Sequence, residues 1–259
     1  MPTYVKISGH PTWVDDRAGP GEALLLLHGG LGSSDDDLLD SVGAALVDRY
    51  RVVGFDRRGH GHTADTDAAF HYSDMAAESI EVLEQVVGGP AHLVGWSDGG
   101  IIALLVALAR PDLVRKVVVI GTNYHRDGVL PIEAGPQSPL GQALAAAYAE
   151  RSPDGSGHFE IVLAKGLVLI EAEPTLTTDD IAGITQPTLV MVGDDDLIPL
   201  AHTCSLYEAL PRGRLAVVPG ASHALPLEHP ELVARLIADF LAATDPPDTL
   251  LPLRRAGRR

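Results

Sequence analysis

Short apolar runs alternate along the chain with amphipathic or alanine-rich ones. Glu22–Leu27 (EALLLL) is a continuous apolar run stopped by HGGLG, the pattern of a strand buried on both faces. Leu38–Tyr50 has helical spacing, and Arg51–Phe55 (RVVGF) reads as the next strand. Ser73–Val87 opens on a serine placed to cap a helix, with Ile80, Leu83 and Val87 at helical spacing. Ala91–Trp96 is strand-like and turns through SDGG into an apolar helix that ends before Pro111. Lys116–Ile120 and Thr188–Val192 read as buried strands and Arg214–Val218 as a further strand. Ala201–Leu210 and Pro230–Leu241 read as helices.

Strands alternating with helices predict an α/β fold with a mostly parallel eight-stranded sheet, right-handed crossovers and helices on both faces. Tyr4–Ile7 and Thr12–Val14, separated by SGHP, predict a hairpin on one edge. Between Gly121 and Gln186 the rhythm breaks, with glycine–proline punctuation and two helical patterns, around Gln142–Glu150 and Phe159–Ile170. Such a length between two buried strands far exceeds an ordinary connection and predicts an inserted helical cap. The expected organisation is a core of residues 1–121 and 187–243, a cap over 122–186 and a flexible tail over 244–259.

Composition narrows the function. The 259 residues carry 35 acidic and 19 basic side chains, a formal charge of −16, which argues against binding a phosphate backbone. At 46% hydrophobic and 21% charged, the chain is too apolar for disorder. Its one cysteine, Cys204, excludes an intramolecular disulfide framework and any CxxC motif. The apolar run Ile101–Ala109 falls short of the roughly 20 residues that span a bilayer. The N-terminus lacks a basic segment followed by an apolar stretch. A cytoplasmic protein without a membrane partner is expected, and the choice between monomer and homodimer stays open.

The strongest chemical signal is Gly95-Trp96-Ser97-Asp98-Gly99, a G-x-S-x-G between a buried strand and a helix. Glycines on both sides permit a tight turn that lifts the serine hydroxyl into the open, at a helix N-terminus that favours developing negative charge. A serine is a poor nucleophile until a base takes its proton, and the base must be held by a third group. Of the 11 histidines, His223 is the one on the loop after the final strand. His229, before Pro230, reads as a cap or surface residue, and His202, at a helix start, as solvated. The acid is expected in the loop after Thr188–Val192, where Asp194, Asp195 and Asp196 stand in a row and chemistry alone does not choose among them.

Taken together, these segments resemble the α/β-hydrolase-fold serine hydrolases over about residues 3–243. LLLLHGG resembles the oxyanion loop, GFDRRGHGHT the D-x-R-G-x-G-x-S segment with Thr63 in place of serine, and GWSDGG the nucleophile elbow. VGDDDLIP resembles the acid loop and SHALPLEHP the histidine loop. The resemblance implies Ser97 as nucleophile, Asp196 as the acid, His223 as the base, and the backbone N–H groups of Gly30 and Asp98 as oxyanion donors. It also implies that Gly30, Leu31, Asp98 and Asn123 line the substrate, with no cofactor. The elbow further resembles that of the biphenyl-hydrolase-like group, the valacyclovir hydrolases, in which the aspartate after the nucleophile binds the ammonium of an α-amino-acid ester. Asp98 has two readings: a carboxylate that attracts a cationic substrate, or a plain complement to the helix N-terminus.

Other signals are weaker. His60 and His62 could chelate, but no third ligand has a recognisable spacing and no HExxH occurs, so no metal is expected. Gly29-Gly30-Leu31-Gly32 lacks the remaining spacing of a nucleotide-binding loop. Asp35-Asp36-Asp37 reads as first-turn carboxylates favoured by the helix dipole. The expected function is hydrolysis of a carboxylic ester, lactone or thioester of a small molecule through an acyl-enzyme. Enol-lactone hydrolysis, carbon–carbon bond hydrolysis and perhydrolysis run on the same triad. A ligand sensor using the fold as a binding module is the alternative of another class. Dehalogenases and epoxide hydrolases of this fold need an aspartate nucleophile, and Ser97 argues strongly against both.

Overall fold

The computed structural model describes residues 2–131, 135–245, 247 and 249–251. Its centre is an eight-stranded sheet: β1 (Thr3–Ile7), β2 (His10–Arg17), β3 (Ala23–Leu27), β4 (Arg51–Phe55), β5 (Ala91–Trp96), β6 (Val114–Ile120), β7 (Thr188–Asp195) and β8 (Gly213–Ser222). Spatial order is β1-β2-β4-β3-β5-β6-β7-β8. The β1–β2 hairpin and the β2–β4 pair are antiparallel, and all other pairs are parallel. The sheet is the one expected from the apolar runs.

Alternation along the central strands feeds two cores. Leu25, Leu27, Leu93, Val117 and Val119 face one side, against α1 (Tyr72–Val82) and α2 (Asp98–Ala109). Leu24, Leu26, Val94, Val118 and Ile120 face the other, against the helical segment Asp35–Gly43 and, further along the chain, the long helix Pro230–Ala242. Ile101, Ile102, Ala103 and Leu104 of α2 are all buried, so this helix is apolar all round.

Two helices depart from their expected form. The segment expected over Leu38–Tyr50 begins at Asp35, is wound more widely than an α-helix, and ends at Gly43. The serine expected to cap Ser73–Val87 sits inside the first turn instead. The cap position is His71, and the Tyr72 amide donates to the Glu173 carboxylate at 3.0 Å. A partner about a hundred residues away thus replaces the local cap.

Between β6 and β7 lie α3 (Pro139–Arg151), α4 (Phe159–Ala172) and α5 (Thr178–Ala182). The last, a single turn opened by a Thr177–Asp180 capping box, was not anticipated. Tyr148, Phe159, Val162, Leu163 and Leu169 of this segment join the same apolar cluster as α1 and α2. After β7 come α6 (Leu200–Ala209), α7 (Leu225–Glu228) and α8 (Pro230–Ala242). Of the tail expected over 244–259, residues 246, 248 and 252–259 lie outside the described residues. Its start is anchored: Arg214 donates to the Thr244 carbonyl at 2.8 Å, and Arg212 pairs with Asp245. Among the described residues, no helix is long and apolar enough to cross a membrane.

Candidate active site

The chain runs from β3 outward to β4, then returns to place β5 on the other side of β3. At such a reversal the loops leaving the carboxyl ends of adjacent strands part and leave a crevice. The loops after β3 and β5 border it here, and those after β6, β7 and β8 follow along the same edge.

Ser97 caps the N-terminus of α2 at φ +54°, ψ −119°, a conformation that costs a residue with a side chain on the order of 1–3 kcal/mol. Its amide donates to the Ile120 carbonyl at 2.8 Å. The flanking glycines are obligatory. A Cβ on Gly95 would lie 2.1 Å from the Gly99 carbonyl oxygen, and one on Gly99 would lie 2.0 Å from that of Leu27.

His223 follows β8. The Glu228 carboxylate accepts from the Ser222 amide at 2.8 Å and hydroxyl at 2.7 Å, and the Trp96 indole donates to the His223 carbonyl at 2.8 Å. The imidazole Nδ1 lies 2.8 Å from Asp196 Oδ1, and Nε2 lies 3.1 Å from Ser97 Oγ. Asp196 has a side chain only 1% exposed and also accepts from the Ile198 amide at 2.9 Å. Its neighbours do not compete: Asp194 accepts from the Gly220 amide, and both Asp194 and Asp195 are exposed. Gly121, at φ +53°, lets the chain pass beside the pair, since a Cβ there would meet His223 Nδ1 at 2.9 Å.

The loop after β3 is held from below. Arg57 is wholly buried and donates to the carbonyls of His28 at 2.7 Å and Gly29 at 2.8 Å. His28 Nε2 accepts from the Arg57 amide at 3.1 Å, which leaves Nδ1–H to donate to Gly29 O at 2.8 Å. Burial holds His28 well below the ordinary imidazole range. Asp37 lies in the first turn of its helix, as expected, but it is buried there, accepts from the Gly29 amide at 2.8 Å, and is pushed up to about 7 by burial. Leu31 adopts φ +60° and meets Gly166 of α4.

Asp98 abuts this loop so closely that a Cβ on Gly30 would lie 2.5 Å from its Oδ2. Oδ1 accepts from the Tyr72 hydroxyl at 2.8 Å. Burial raises the Asp98 carboxyl, against the opposing pulls of the Arg57 charge and the Tyr72 hydroxyl. Asn123 is buried beyond β6, where its amide donates to the His125 carbonyl at 3.1 Å. Sequence reasoning missed the contacts of Tyr72, Trp96 and Arg57, and took Asp37 for a first-turn carboxylate favoured by the helix dipole. Only the fold shows their partners.

Other histidines are engaged elsewhere. His202, expected in solvent, stacks on Tyr124 at 4.3 Å, accepts from its amide at 3.2 Å, and is depressed to about 4 by burial. His60 contacts the Arg58 carbonyl and His62 the Asp56 carboxylate, so the two do not share a ligand position. Thr63 fills its motif position by accepting from the Trp13 amide at 2.9 Å. A cleft of about 310 Å³ opens beside His202, lined by Tyr124, His125, Asp127 and Thr178 among others, and includes neither Ser97 nor His223.

Residues 24–236 match the family described as alpha/beta hydrolases. The chain belongs to the alpha/beta hydrolase family. The span reaches from β3 into α8 and includes every loop of the crevice. Within the family, the chain is 30% identical to a putative carbamate hydrolase, RutD, of Variovorax paradoxus (strain S110), over 95% of this chain and 98% of that protein. It is 29% identical to the serine hydrolase BPHL of Mus musculus, over 87% of this chain and 81% of that protein. The enol-lactonase of Burkholderia xenovorans LB400 superposes with a TM-score of 0.74 at 21% identity, covering 92% of this chain and 99% of that one. That likeness is one of fold. Family membership supports a hydrolase.

Proposed function

We propose that this hydrolase cleaves a carboxylic ester of a small molecule through an acyl-enzyme on Ser97. The observation that carries the reading is the relay from Ser97 Oγ through His223, at 3.1 Å and 2.8 Å, to Asp196. His223 Nε2 takes the Ser97 proton as Oγ attacks the carbonyl carbon, and the Gly30 and Asp98 amides receive the oxyanion. The imidazolium then gives that proton to the leaving alkoxide. A water, deprotonated by the same nitrogen, releases the acid and restores Ser97. Asp196 keeps Nδ1 protonated and stabilises the imidazolium.

Asp98 favours an α-amino ester among the possible substrates. One carboxylate oxygen is held by Tyr72, and the other has no protein hydrogen-bond partner among the described residues. It lies against Gly30, beside the nucleophile, where an ammonium on the acyl group's α-carbon would find it. The resemblance of the GWSDGG elbow to that of the biphenyl-hydrolase-like group supports the same reading, and the similarity to the serine hydrolase BPHL supports a serine nucleophile.

Ser97→Ala should leave the fold intact and lower turnover of p-nitrophenyl esters by about 10⁴-fold or more. Across a panel of α-amino esters, their N-acetyl counterparts and lactones, the free ammonium should be preferred. Asp98→Asn should cost the α-amino ester about 10- to 100-fold in kcat/KM and the N-acetyl ester little. Equal loss on both would remove the ammonium reading while leaving the triad in place.

A further inference from the structure

We infer that Arg57 is a positioning residue for the oxyanion hole, aiming and polarising the Gly30 amide through the carbonyl of Gly29. The inference rests on the acyl-enzyme reading above.

The argument begins with a planar, trans peptide, in which C=O and N–H point in opposite directions. The only cis bond among the described residues is Glu173–Pro174, so the Gly29–Gly30 peptide is trans. Its carbonyl receives two buried donors, Arg57 Nη2 and His28 Nδ1, both at 2.8 Å. With the oxygen pulled toward Arg57, the Gly30 N–H is turned away from it. The preceding peptide is fixed as well, by Arg57 Nη1 on the His28 carbonyl at 2.7 Å and by Asp37 on the Gly29 amide at 2.8 Å. Glycines at positions 29 and 30 would otherwise leave this turn free to rotate. The guanidinium spans two successive carbonyls, a task that suits its planar fork.

Charge adds to geometry. Arg57 is fully buried, its guanidinium donates to the carbonyls of His28 and Gly29, and the carboxylates of Asp98 and Asp37 act on it only through their charge. Its charge therefore acts on the two carbonyl dipoles instead of being spent in a contact ion pair. A cation behind the carbonyl end of a peptide draws electron density from the N–H end, so the Gly30 amide becomes a stronger donor as negative charge develops in front of it. Such preorganised donors act mainly on the transition state. The arrangement differs from the bland alternative, a buried arginine that merely closes a turn, in one respect: it predicts a loss confined to the chemical step.

The test is the steady-state hydrolysis of a p-nitrophenyl ester by wild type, Arg57→Lys and Arg57→Met, with Ser97→Ala as reference. Arg57→Met should lower kcat about 100-fold with KM changed less than about threefold, the size expected for losing one oxyanion donor. Arg57→Lys, which keeps the charge but not the fork, should fall between. In the wild type, the Gly30 amide proton should move downfield in NMR when a phenylboronate adds to Ser97. A kcat within threefold of wild type in a folded Arg57 variant would overturn the inference. So would parallel changes in kcat and KM, or a Gly30 resonance that does not move on boronate addition. If neither Arg57 variant folds, the Gly30 resonance alone decides. Should Ser97→Ala retain full activity, the acyl-enzyme reading fails first, and that outcome is distinct from a failure of Arg57 alone.

Discussion

In the sheet, Leu24 to Leu27 and Val117 to Ile120 are wholly buried and pack on both faces. Between β6 and β7, by contrast, α3 and α4 leave Leu140, Ile161 and Val168 exposed. Part of that segment joins the core through Tyr148, Phe159 and Val162, and the rest is held by charge. Lys165 and His158 meet Asp65 at 2.7 and 2.9 Å, Arg151 meets Asp36 at 2.6 Å, and Glu173 meets His71 at 2.7 Å. The loops that carry Ser97, Asp196 and His223 spring from the apolar sheet, whereas α4 touches the site through Leu31. Dry packing fixes positions to a fraction of an ångström, and the more exposed of these ion pairs, such as His71–Glu173, yield to salt and to small shifts. Under the proposed function, the first region carries the chemistry and the second adapts to substrate.

The largest effect that can break this contrast is acid. His60 is buried beside Arg57, and burial and that charge hold it down at about 3. The unfolded chain binds a proton near 6.5 and the folded one does not, so stability is lost as pH falls from about 6.5 to about 3, by as much as about 5 kcal/mol. Asp37, raised to about 7, acts in the opposite sense between about 4 and 7 and is common to both proteins compared. Urea unfolding of wild type and His60→Asn across this range should therefore give a shallower acid decline in the variant. Parallel profiles would contradict a buried neutral His60.

A middle effect belongs to the charged ties. Lys165→Met removes one donor from Asp65, whose side chain is 2% exposed, and should cost about 1–3 kcal/mol. Because α4 packs on Leu31, KM should rise about 3- to 10-fold while kcat moves less than about threefold. A fall in kcat at constant KM would place α4 in the chemistry and dissolve the division drawn here. The smallest effect is at the surface. Arg110 pairs with Glu84 and Asp112, all well exposed, and Arg110→Ala should leave the urea midpoint essentially where it is in wild type. A clearly lowered midpoint would mean that exposed charge holds the sheet region too.

The same contrast explains what was legible in the chain. Apolar runs such as ALLLL and KVVVI announce strands, because a strand buried on both faces must be apolar at every position. Ser97 was legible because its loop follows such a strand and His223 because its loop follows the final strand, and the geometry chooses Asp196 from three adjacent aspartates by bringing one of them to the imidazole. Tyr72 gave no signal, since its partner Asp98 lies in another helix. Asp37 looked like an ordinary first-turn carboxylate, and only the crossing of β3 beside its helix makes it a buried acceptor for Gly29. The cap of α1 was misread for the same reason: Glu173, distant in sequence, displaces Ser73 from the role. What escaped is tertiary pairing between polar residues, which carries no periodicity.

The claim on which the rest depends is that Ser97 is the nucleophile, driven by His223. Labelling the folded protein with a fluorophosphonate, followed by mass spectrometry of the intact chain and its peptides, tests it directly. The account predicts one adduct, on the peptide holding Ser97, formed in step with loss of esterase activity and slowed at least about 10³-fold in His223→Ala. Full inactivation with the adduct on another residue, or labelling of Ser97 at an unchanged rate in the histidine variant, would contradict it.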